Sequence, residues 1–241
     1  MRRNLFHYDV LDSTMKEYER LCGIEISSAK IVRADRQSQG LGRGANQWDS
    51  SLGGLWFTFD LFYPELVDSF ALYVGVCLHR SLLSLFDGMK PHLRIKWPND
   101  LFYDDRKLAG ILCKHSVETG YVIGIGINTN NTIENPDLVQ NTASLTQIIG
   151  SPVSNNELMH IFMLSIVENL SQIKNPSLYL DYCNDNLYGM GRYATVNMFE
   201  NKSRGIIRGL DNSGAVLLET SDGQIKAFNA GGLAVDPSIK Q

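Results

Sequence analysis

The chain has 241 residues, and at about 150 residues per domain this length predicts one main domain with a small appendage. Lys and Arg number 22 against 26 Asp and Glu, and the net charge of −4 excludes a general positive field for holding polyanions. Hydrophobic residues make up 44% of the chain and charged residues 20%, which excludes a disordered or fibrous protein.

The sequence carries no sign of membrane insertion or export. The apolar stretch from Ala71 to Leu78 is far shorter than the roughly 20 residues that a membrane-spanning helix needs. Asp9 and Asp12 precede the first apolar block, which argues against a secretory signal. The four cysteines, at positions 22, 77, 113 and 183, form no C-x-x-C pair. We therefore expect reduced thiols and a cytoplasmic location.

The N-terminal third predicts one short helix and two strands. Thr14-Met-Lys-Glu17 has the form of a capping box, so a helix is expected from there to about Leu21. The β-branched run Ile31–Ala34 and the aromatic-rich run Leu55–Leu61 are typical of strands. A long glycine-bearing loop is expected between these two strands.

The middle of the chain predicts alternating helices and strands. Glu65 to Phe86 carries apolar residues at helical spacing and is expected to form the main core helix. Further strands are predicted at His92–Trp97, Leu108–Lys114 and Tyr121–Ile127, and further helices at Ser154–Ile173 and Leu178–Leu187.

After Leu187 the composition changes, because glycines separate short β-rich runs. The runs are Tyr193–Phe199, Gly205–Leu210, Ala215–Thr220 and Ile225–Phe228. Asp222-Gly223 favours a tight hairpin turn. These features predict a separate C-terminal module, a small five-stranded barrel or sandwich.

Residues 35–54 contain five glycines, at positions 40, 42, 44, 53 and 54, which let backbone N–H groups approach a ligand closely. Arg36 and Arg43 add local positive charge suited to phosphate or carboxylate. A flexible surface loop explains the same composition, so this segment alone decides nothing.

The run from Gly40 to Ala45 also matches the dinucleotide-binding pattern G-x-G-x-x-G/A. That pattern needs a strand directly before it and a helix opening within it. Five polar residues precede Gly40, and the residues after Ala45 begin a helix poorly, so we reject a Rossmann site. No Walker A motif occurs either.

Two neighbouring segments place polar groups at strand ends. Lys96-Trp-Pro-Asn-Asp-Leu101 ends a strand with a proline turn, which puts Asn99 and Asp100 where open sheets bind ligands, although Asn-Asp after Pro is also ordinary turn chemistry. In Lys107-Leu-Ala-Gly-Ile-Leu112, a lysine begins an apolar strand and Gly110 invites a close approach. An isolated lysine at a strand start is more often a solvated charge.

The strand Val122–Asn128 has glycine at positions 124 and 126, so one face lacks side chains. This bare face is suited to receive a flat group, or to pack closely against a helix. The two interpretations are equally supported by this feature.

Together these segments resemble the biotin–protein ligase family, also called the holocarboxylase synthetase family. The resemblance rests on motifs that follow one another along nearly the whole chain: Asp12-Ser-Thr14, Gln37-x-x-Gly-x-Gly-Arg43 with Trp48, Lys96-Trp-Pro-Asn-Asp-Leu101, Lys107-Leu-Ala-Gly-Ile-Leu112 and Gly124-Ile-Gly-Ile-Asn128. The segment from Gly205 to Leu217 is similar to the SH3-like domain that ends this family.

The resemblance implies an α+β fold: a mixed β-sheet flanked by helices, of the class II synthetase and biotin-ligase kind, followed by a small SH3-like β-barrel. The expected domains are a catalytic domain over residues 1–188 and the SH3-like domain over residues 189–241. The implied activity is an ATP-dependent ligation through biotinyl-5′-AMP. Biotin is then transferred to a lysine on the biotin carboxyl carrier domain of a carboxylase, with Mg²⁺ accompanying ATP.

The resemblance also assigns roles to individual residues. The implied catalytic residues are Arg43, Lys107 and Asp100, of which Asp100 faces the incoming lysine. The implied biotin-binding residues are Ser13, Thr14, Met15, Gln37, Gly40, Leu41, Gly42, Arg43, Lys107 and Gly110. The implied ATP- and adenylate-binding residues are Arg43, Trp48, Asn99, Lys107 and Asn128, and no metal-ligating residue is expected.

Two positions depart from the commoner family pattern: Leu41 replaces a second basic residue, and Met15 replaces an Asn after Ser-Thr. Many bacterial relatives carry an N-terminal DNA-binding domain. Since few residues precede Asp12 here, we expect a ligase without operator binding or other nucleic-acid partners. The shortness of the apolar stretches leads us to expect no membrane partner either. A monomer and a homodimer both remain open.

Two alternative functions remain. A lipoate or octanoate ligase has a related fold, but the paired KWPNDL and KLAGIL motifs favour biotin. A non-catalytic biotin-binding module is the other, and the joint presence of Arg43, Lys107 and Asp100 argues against it.

Overall fold

The structure, a computed structural model, describes residues 4–22, 29–133, 135–198 and 201–236. The strands are β1 (Asn4–Leu11), β2 (Lys30–Leu41), β3 (Gln47–Ser50), β4 (Leu55–Leu61), β5 (Leu93–Lys96), β6 (Asp100–Tyr103), β7 (Arg106–Ser116), β8 (Gly120–Ile127), β9 (Tyr193–Met198), β10 (Asn201–Leu210), β11 (Val216–Glu219), β12 (Ile225–Phe228) and β13 (Gly232–Val235). The helices are α1 (Thr14–Cys22), α2 (Phe70–Leu85), α3 (Pro136–Val139), α4 (Leu145–Ile149), α5 (Asn155–Glu168) and α6 (Ser177–Asp185), with 3₁₀ turns at Asp87–Met89 and Leu170–Lys174.

The chain divides into two compact units, of which the first comprises residues 1–66 and 106–159. Its strands follow the order β1-β2-β4-β8-β7, and β3 pairs with β2. The pair β1–β2 is parallel, whereas β2–β4, β4–β8 and β7–β8 are antiparallel. Helix α1 packs on β2, β4 and β8. The prediction of an α+β protein with a mixed sheet and flanking helices is therefore confirmed.

Helix α1 forms where it was predicted, but the capping box at its start was wrong. The Thr14 hydroxyl accepts a hydrogen bond from the Thr58 hydroxyl at 2.8 Å. The Glu17 carboxylate accepts from the Tyr8 hydroxyl at 3.0 Å and from Arg20 at 2.8 Å. Both side chains are committed to tertiary partners, so they do not cap each other.

The segment predicted as one long loop is largely a β-hairpin. Strand β2 continues through its polar residues to Leu41, and the short β3 runs back along it. Between them the Gly42 N–H donates to the Asn46 carbonyl at 2.9 Å, and Gly44 adopts a φ of +65°. Strand β3, not a helix, follows the Gly40–Ala45 run, so this segment lacks the strand–turn–helix arrangement that a dinucleotide-binding pattern needs.

The second unit comprises residues 67–105 and 160–241. Helix α2 lies in its core and begins at Phe70 rather than at Glu65, because Leu66 is 70% exposed and does not belong to the buried stripe. Hydrogen bonds join the helix region to later segments: Ser69 to the Tyr179 hydroxyl at 2.5 Å and the Tyr73 hydroxyl to the Ile166 carbonyl at 2.6 Å.

Strands β5 and β6 pair in antiparallel fashion within the second unit, with Lys96 opposite Asp100. The connecting turn contains a cis bond between Trp97 and Pro98. The Trp97 indole donates to the Gly214 carbonyl at 3.0 Å, which ties this turn to the C-terminal part of the same unit. Strand β6 was not predicted, because it is only four residues long and ends directly before Asp104, which has a φ of +52°.

The C-terminal strands form a five-stranded antiparallel sheet in the order β12-β11-β10-β9-β13. Its tight turn lies at Asp222-Gly223 as predicted, with the Thr220 N–H donating to the Gln224 carbonyl at 2.9 Å and a φ of +77° at Gly223. This sheet is the predicted SH3-like module. The boundary between residues 188 and 189 stays a prediction.

The four cysteines are free thiols; Cys77 and Cys183 are buried and Cys22 is exposed. Within the described ranges, no helix is long and apolar enough to cross a membrane.

Candidate active site

The bare face predicted on β8 exists, and a tryptophan covers it. Gly126 on β8 lies directly opposite Gly110 on β7. A methyl group built on Gly126 would lie 2.6 Å from Nε1 of Trp48, and one built on Gly110 would lie 2.7 Å from Cζ3 of the same ring. We call Gly110 and Gly126 the glycine platform. It receives a flat group, and that group is the protein's own Trp48 indole.

A second side chain covers the neighbouring glycine. A Cβ on Gly124 would lie 2.9 Å from the sulfur of Met15, which is 3% exposed. Met15 therefore fills the space over β8 with an apolar, polarizable side chain where the commoner pattern places a polar one.

Lys107 lies beside the platform at the start of β7. Its ammonium lies 4.9 Å from the centroid of the Trp48 ring. The Lys107 N–H donates to the Asn141 carbonyl at 2.8 Å, and its carbonyl accepts from the Ala143 N–H at 3.0 Å. The backbone of this lysine is thus fixed on both sides, while its cationic end faces an aromatic ring.

Polar groups from α1 and the hairpin meet next to Met15. The Gln37 side-chain oxygen accepts from the Thr14 N–H at 2.8 Å, and the Gln37 amide donates to the Ser50 hydroxyl at 2.7 Å. Ser13 is 1% exposed, and its hydroxyl has no hydrogen-bond partner. A buried hydroxyl without a partner is costly unless a ligand satisfies it, so Ser13 is a candidate contact for a polar ligand group.

The carboxylate of Asp12, the residue before Ser13, fixes the start of α1 by hydrogen bonds. Asp12 accepts from the Ser13 N–H at 2.8 Å and from Arg20 at 2.6 Å. The hydrogen bond from Arg20, with a smaller contribution from the Ser13 N–H, lowers the pKa of Asp12 to about 2. The carboxylate therefore stays ionised at neutral pH and fixes the start of α1.

Four further residues predicted to bind biotin lie at the end of β2 and in the turn of the hairpin. Gly40 is buried, and a Cβ there would lie 2.5 Å from the Trp48 carbonyl oxygen. Leu41 and Gly42 are half-buried at the end of β2, and Arg43 is exposed at the turn.

Asn128 follows the glycine strand and is 3% exposed. Its side-chain oxygen accepts from Asn131 at 3.0 Å, and its N–H donates to the Leu108 carbonyl at 3.0 Å. Asn128 therefore lies at the end of β8, beside the residue that follows Lys107.

Asn99 and Asp100 belong to the second compact unit, in the β5–β6 turn region, and both are half-buried. The other predicted residues all belong to the first unit: Ser13, Thr14, Met15, Gln37, Gly40, Leu41, Gly42, Arg43, Trp48, Lys107, Gly110 and Asn128.

Sequence reasoning missed two residues of this site, Ser50 and Thr58. Both are buried hydroxyls on strands, and each bonds a residue that was predicted. Strand alternation alone does not distinguish such a hydroxyl from an ordinary core position.

Known families match this chain over both of its parts. The Biotin/lipoate A/B protein ligase family matches residues 8–130, and the Biotin protein ligase C terminal domain matches residues 195–232.

Individual relatives and solved structures agree with this match. The Salmonella typhimurium protein described as bifunctional ligase/repressor BirA is 30% identical over 237 residues, which cover 94% of this chain and 72% of that protein. The Bacillus subtilis protein of the same description is 26% identical and covers 95% of this chain and 74% of its own length. A biotin protein ligase from Aquifex aeolicus, solved in complex with biotin and ATP, superposes with a TM-score of 0.84 at 28% identity, covering 98% of this chain and 99% of that one. The chain therefore belongs to the biotin/lipoate A/B protein ligase family, and its enzyme class is that of the biotin–protein ligases.

Proposed function

We propose that this protein is an ATP-dependent ligase that forms biotinyl-5′-AMP and then transfers biotin to a lysine on the biotin carrier domain of a carboxylase. One observation carries the proposal. The Lys107 ammonium lies 4.9 Å from the centroid of the Trp48 ring, and that ring lies against the glycine platform in the unit that also contains the buried Ser13 hydroxyl. A cation beside an aromatic ring, with a buried hydroxyl in the same unit, suits an acid and a nucleotide.

In the first step the carboxylate of biotin attacks the α-phosphate of ATP, and pyrophosphate leaves. Both reactants are anions, so their repulsion must be offset locally. We assign this role to the Lys107 ammonium and the Arg43 guanidinium, together with backbone N–H groups of the Gly40–Arg43 turn. Lys107 has a fixed backbone, and Arg43 lies exposed at the hairpin turn.

The biotin side of the site comprises ten residues in this proposal. Ser13 offers its unpartnered buried hydroxyl to the ureido group. Met15 supplies apolar surface, Gly110 allows the close approach of the Trp48 ring, and Lys107 lies near the carboxylate. The remaining members are Thr14, Gln37, Gly40, Leu41, Gly42 and Arg43.

The nucleotide side comprises Trp48, Arg43, Lys107, Asn99 and Asn128. The Nε1 atom of Trp48 is buried and has no hydrogen-bond partner, so it offers a donor to a ligand. Mg²⁺ enters this proposal as part of the nucleotide substrate, and we assign it no protein ligand.

In the second step the carrier lysine attacks the mixed anhydride, and AMP leaves. A free lysine has a pKa of about 10.4, so its neutral form at pH 7 costs about 4.6 kcal/mol. We assign Asp100 to orient this amine and to accept its proton as the new amide bond forms.

The proposed partner is a carboxylase carrier domain, and no nucleic-acid or repressor function is proposed. The net charge of −4 supports a ligase without a DNA-binding role, since a chain of that charge has no general attraction for DNA. A gel-shift measurement with operator-like DNA tests it directly.

The test of the proposed function is incubation with ATP, Mg²⁺, biotin and a carrier domain, followed by intact mass of the carrier. Addition of one biotin is the expected result. Exchange of labelled pyrophosphate into ATP, run separately with biotin and with lipoate, identifies the acid. Exchange with lipoate alone would assign the chain to the lipoate ligases, and no exchange with either acid would favour a non-catalytic binding module.

A further inference from the structure

A series of hydrogen bonds runs through the hairpin to the tryptophan on the glycine platform. The Thr14 N–H donates to Gln37 at 2.8 Å, the Gln37 amide donates to the Ser50 hydroxyl at 2.7 Å, and that hydroxyl donates to the Trp48 carbonyl at 3.2 Å. We call this series, from Thr14 through Gln37 and Ser50 to Trp48, the hairpin relay. It connects residues proposed for biotin with one proposed for the nucleotide.

Along the hairpin relay each group donates a hydrogen bond to the next one, and Ser50 must both accept and donate. The Thr14 N–H can only donate, so the Gln37 oxygen faces it and the Gln37 amide nitrogen faces Ser50. The Trp48 carbonyl can only accept. Position 50 therefore needs a group that accepts one hydrogen bond and donates another, which a hydroxyl does and an alkyl side chain does not.

Ser50 and its two partners are packed closely around Gly40. Ser50 is 3% exposed. A Cβ on Gly40 would lie 2.5 Å from the Trp48 carbonyl oxygen, 2.7 Å from the Ser50 hydroxyl and 3.1 Å from the Gln37 amide nitrogen. The relay thus passes directly over Gly40, and the register of β2 and β3 shifts between Gln37 and Gly40 to admit it.

We propose that Ser50 is a positioning residue for the ligase reaction: its hydroxyl holds Gln37 and the Trp48 backbone in register, so that both substrates' contacts are set together. The inference rests on the proposed function and deepens it. Loss of the Ser50 hydroxyl removes the acceptor of the Gln37 amide and a donor to the Trp48 carbonyl, and both ends of the relay then move more freely.

The test compares Ser50→Val with Ser50→Thr, two variants of nearly equal shape that differ in the hydroxyl. Pyrophosphate exchange yields KM for biotin, KM for ATP and kcat. We expect Ser50→Val to raise both KM values about tenfold relative to Ser50→Thr, as loss of one buried hydrogen bond predicts, with kcat changed much less. Ser50→Ala, which adds no volume, is the second variant and is expected to behave like Ser50→Val.

Ser51→Ala is the matched control. Ser51 is also buried, and its hydroxyl donates to the Thr132 carbonyl at 2.8 Å, outside the relay. A thermal melt of each variant shows how much of any change is loss of fold, and Ser51→Ala is expected to keep the wild-type KM values. Equal KM values in Ser50→Val, Ser50→Ala and Ser50→Thr, with an active wild type, would overturn the inference and leave the proposed function standing. Absence of biotin-dependent exchange by the wild type would remove both.

Discussion

The Lys107 ammonium lies 4.9 Å from the centroid of the Trp48 ring, although the two residues are on different strands and far apart in sequence. The aromatic face holds the cation beside the glycine platform. A lysine ammonium held at a fixed place by an aromatic ring is suited to meet an incoming anion.

Lys107→Ala is expected to lower the rate of adenylate formation by at least about a hundredfold, because one positioned cation at developing charge contributes that much. The measurement is biotin-dependent pyrophosphate release. Lys114→Ala is the control on the same strand, since Lys114 is exposed and pairs with Glu19 at 2.6 Å. Near-normal release by Lys107→Ala would remove this residue from the catalytic group.

Arg43→Gly is expected to release reactive adenylate and to label bystander lysines. Loss of a hydrogen bond to a charged group weakens retention of the intermediate by about 10- to 100-fold. Mass spectrometry of an added unrelated protein measures the labelling. Arg36→Gly, the same change at an exposed position of the same hairpin, is the control. Strict selectivity for the carrier in Arg43→Gly would contradict the role of Arg43.

Gly126→Ala is expected to displace the Trp48 ring, since the new methyl group would lie 2.6 Å from Nε1. Such overpacking costs about 1–3 kcal/mol of stability, and KM for ATP is expected to rise. Urea unfolding and steady-state exchange measure the two effects. Gly88→Ala is the control, because a Cβ at Gly88 meets nothing within 4 Å. Unchanged stability and KM in Gly126→Ala would show that the platform has no role.

The hairpin between residues 37 and 47 is expected to become less mobile when ligand binds. Trypsin cleavage after the exposed Arg43 measures this. Biotin with ATP is expected to slow that cleavage, because an ordered turn resists proteolysis. Equal cleavage with and without the two ligands would contradict the expectation.

Stability is expected to fall below about pH 6.5 because of His79. Its ring lies 2.9 Å from the Tyr182 hydroxyl and 3.2 Å from the Leu93 carbonyl, and burial lowers its pKa to about 4. The unfolded chain binds this proton first, so stability is present above the unfolded pKa of about 6.5 and declines as pH falls to about 4. The loss is about 3 kcal/mol.

Urea unfolding at several pH values between 7 and 4 measures this decline. His79→Gln removes the titrating group, and its stability is expected to depend less on pH over the same range. An equally steep decline in His79→Gln would show that other groups cause it.

The dense apolar run Leu55–Leu61 forms a strand with the predicted bounds. The exposed run Ile225–Phe228 also has its predicted bounds, because the Asp222-Gly223 turn before it fixes its start. Strand β1 was missed because it is a sheet-edge strand whose residues are largely exposed and whose polar and apolar residues do not strictly alternate. The polar end of β2 was interpreted as a loop for the same reason, although hairpin pairing extends it to Leu41.

In the candidate site too, features with a local sequence signal were predicted, whereas contacts between distant residues were not. The bare face of β8 was predicted, because alternation with glycine leaves a local signal in the sequence. Its occupant was not, since the contact of Trp48 with Gly110 and Gly126 joins three strands that only the fold brings together. Ser50 was missed because a hydroxyl on a strand shows its role only through its partners.

Trp48 stands on the hairpin, whereas the glycines beneath its ring belong to two other strands. The edge of that ring also meets Trp56, whose ring centroid lies 6.3 Å away. Any displacement of the hairpin therefore alters the surroundings of both indoles, so the protein contains an intrinsic optical reporter: tryptophan emission follows hairpin movement in real time, with no label attached.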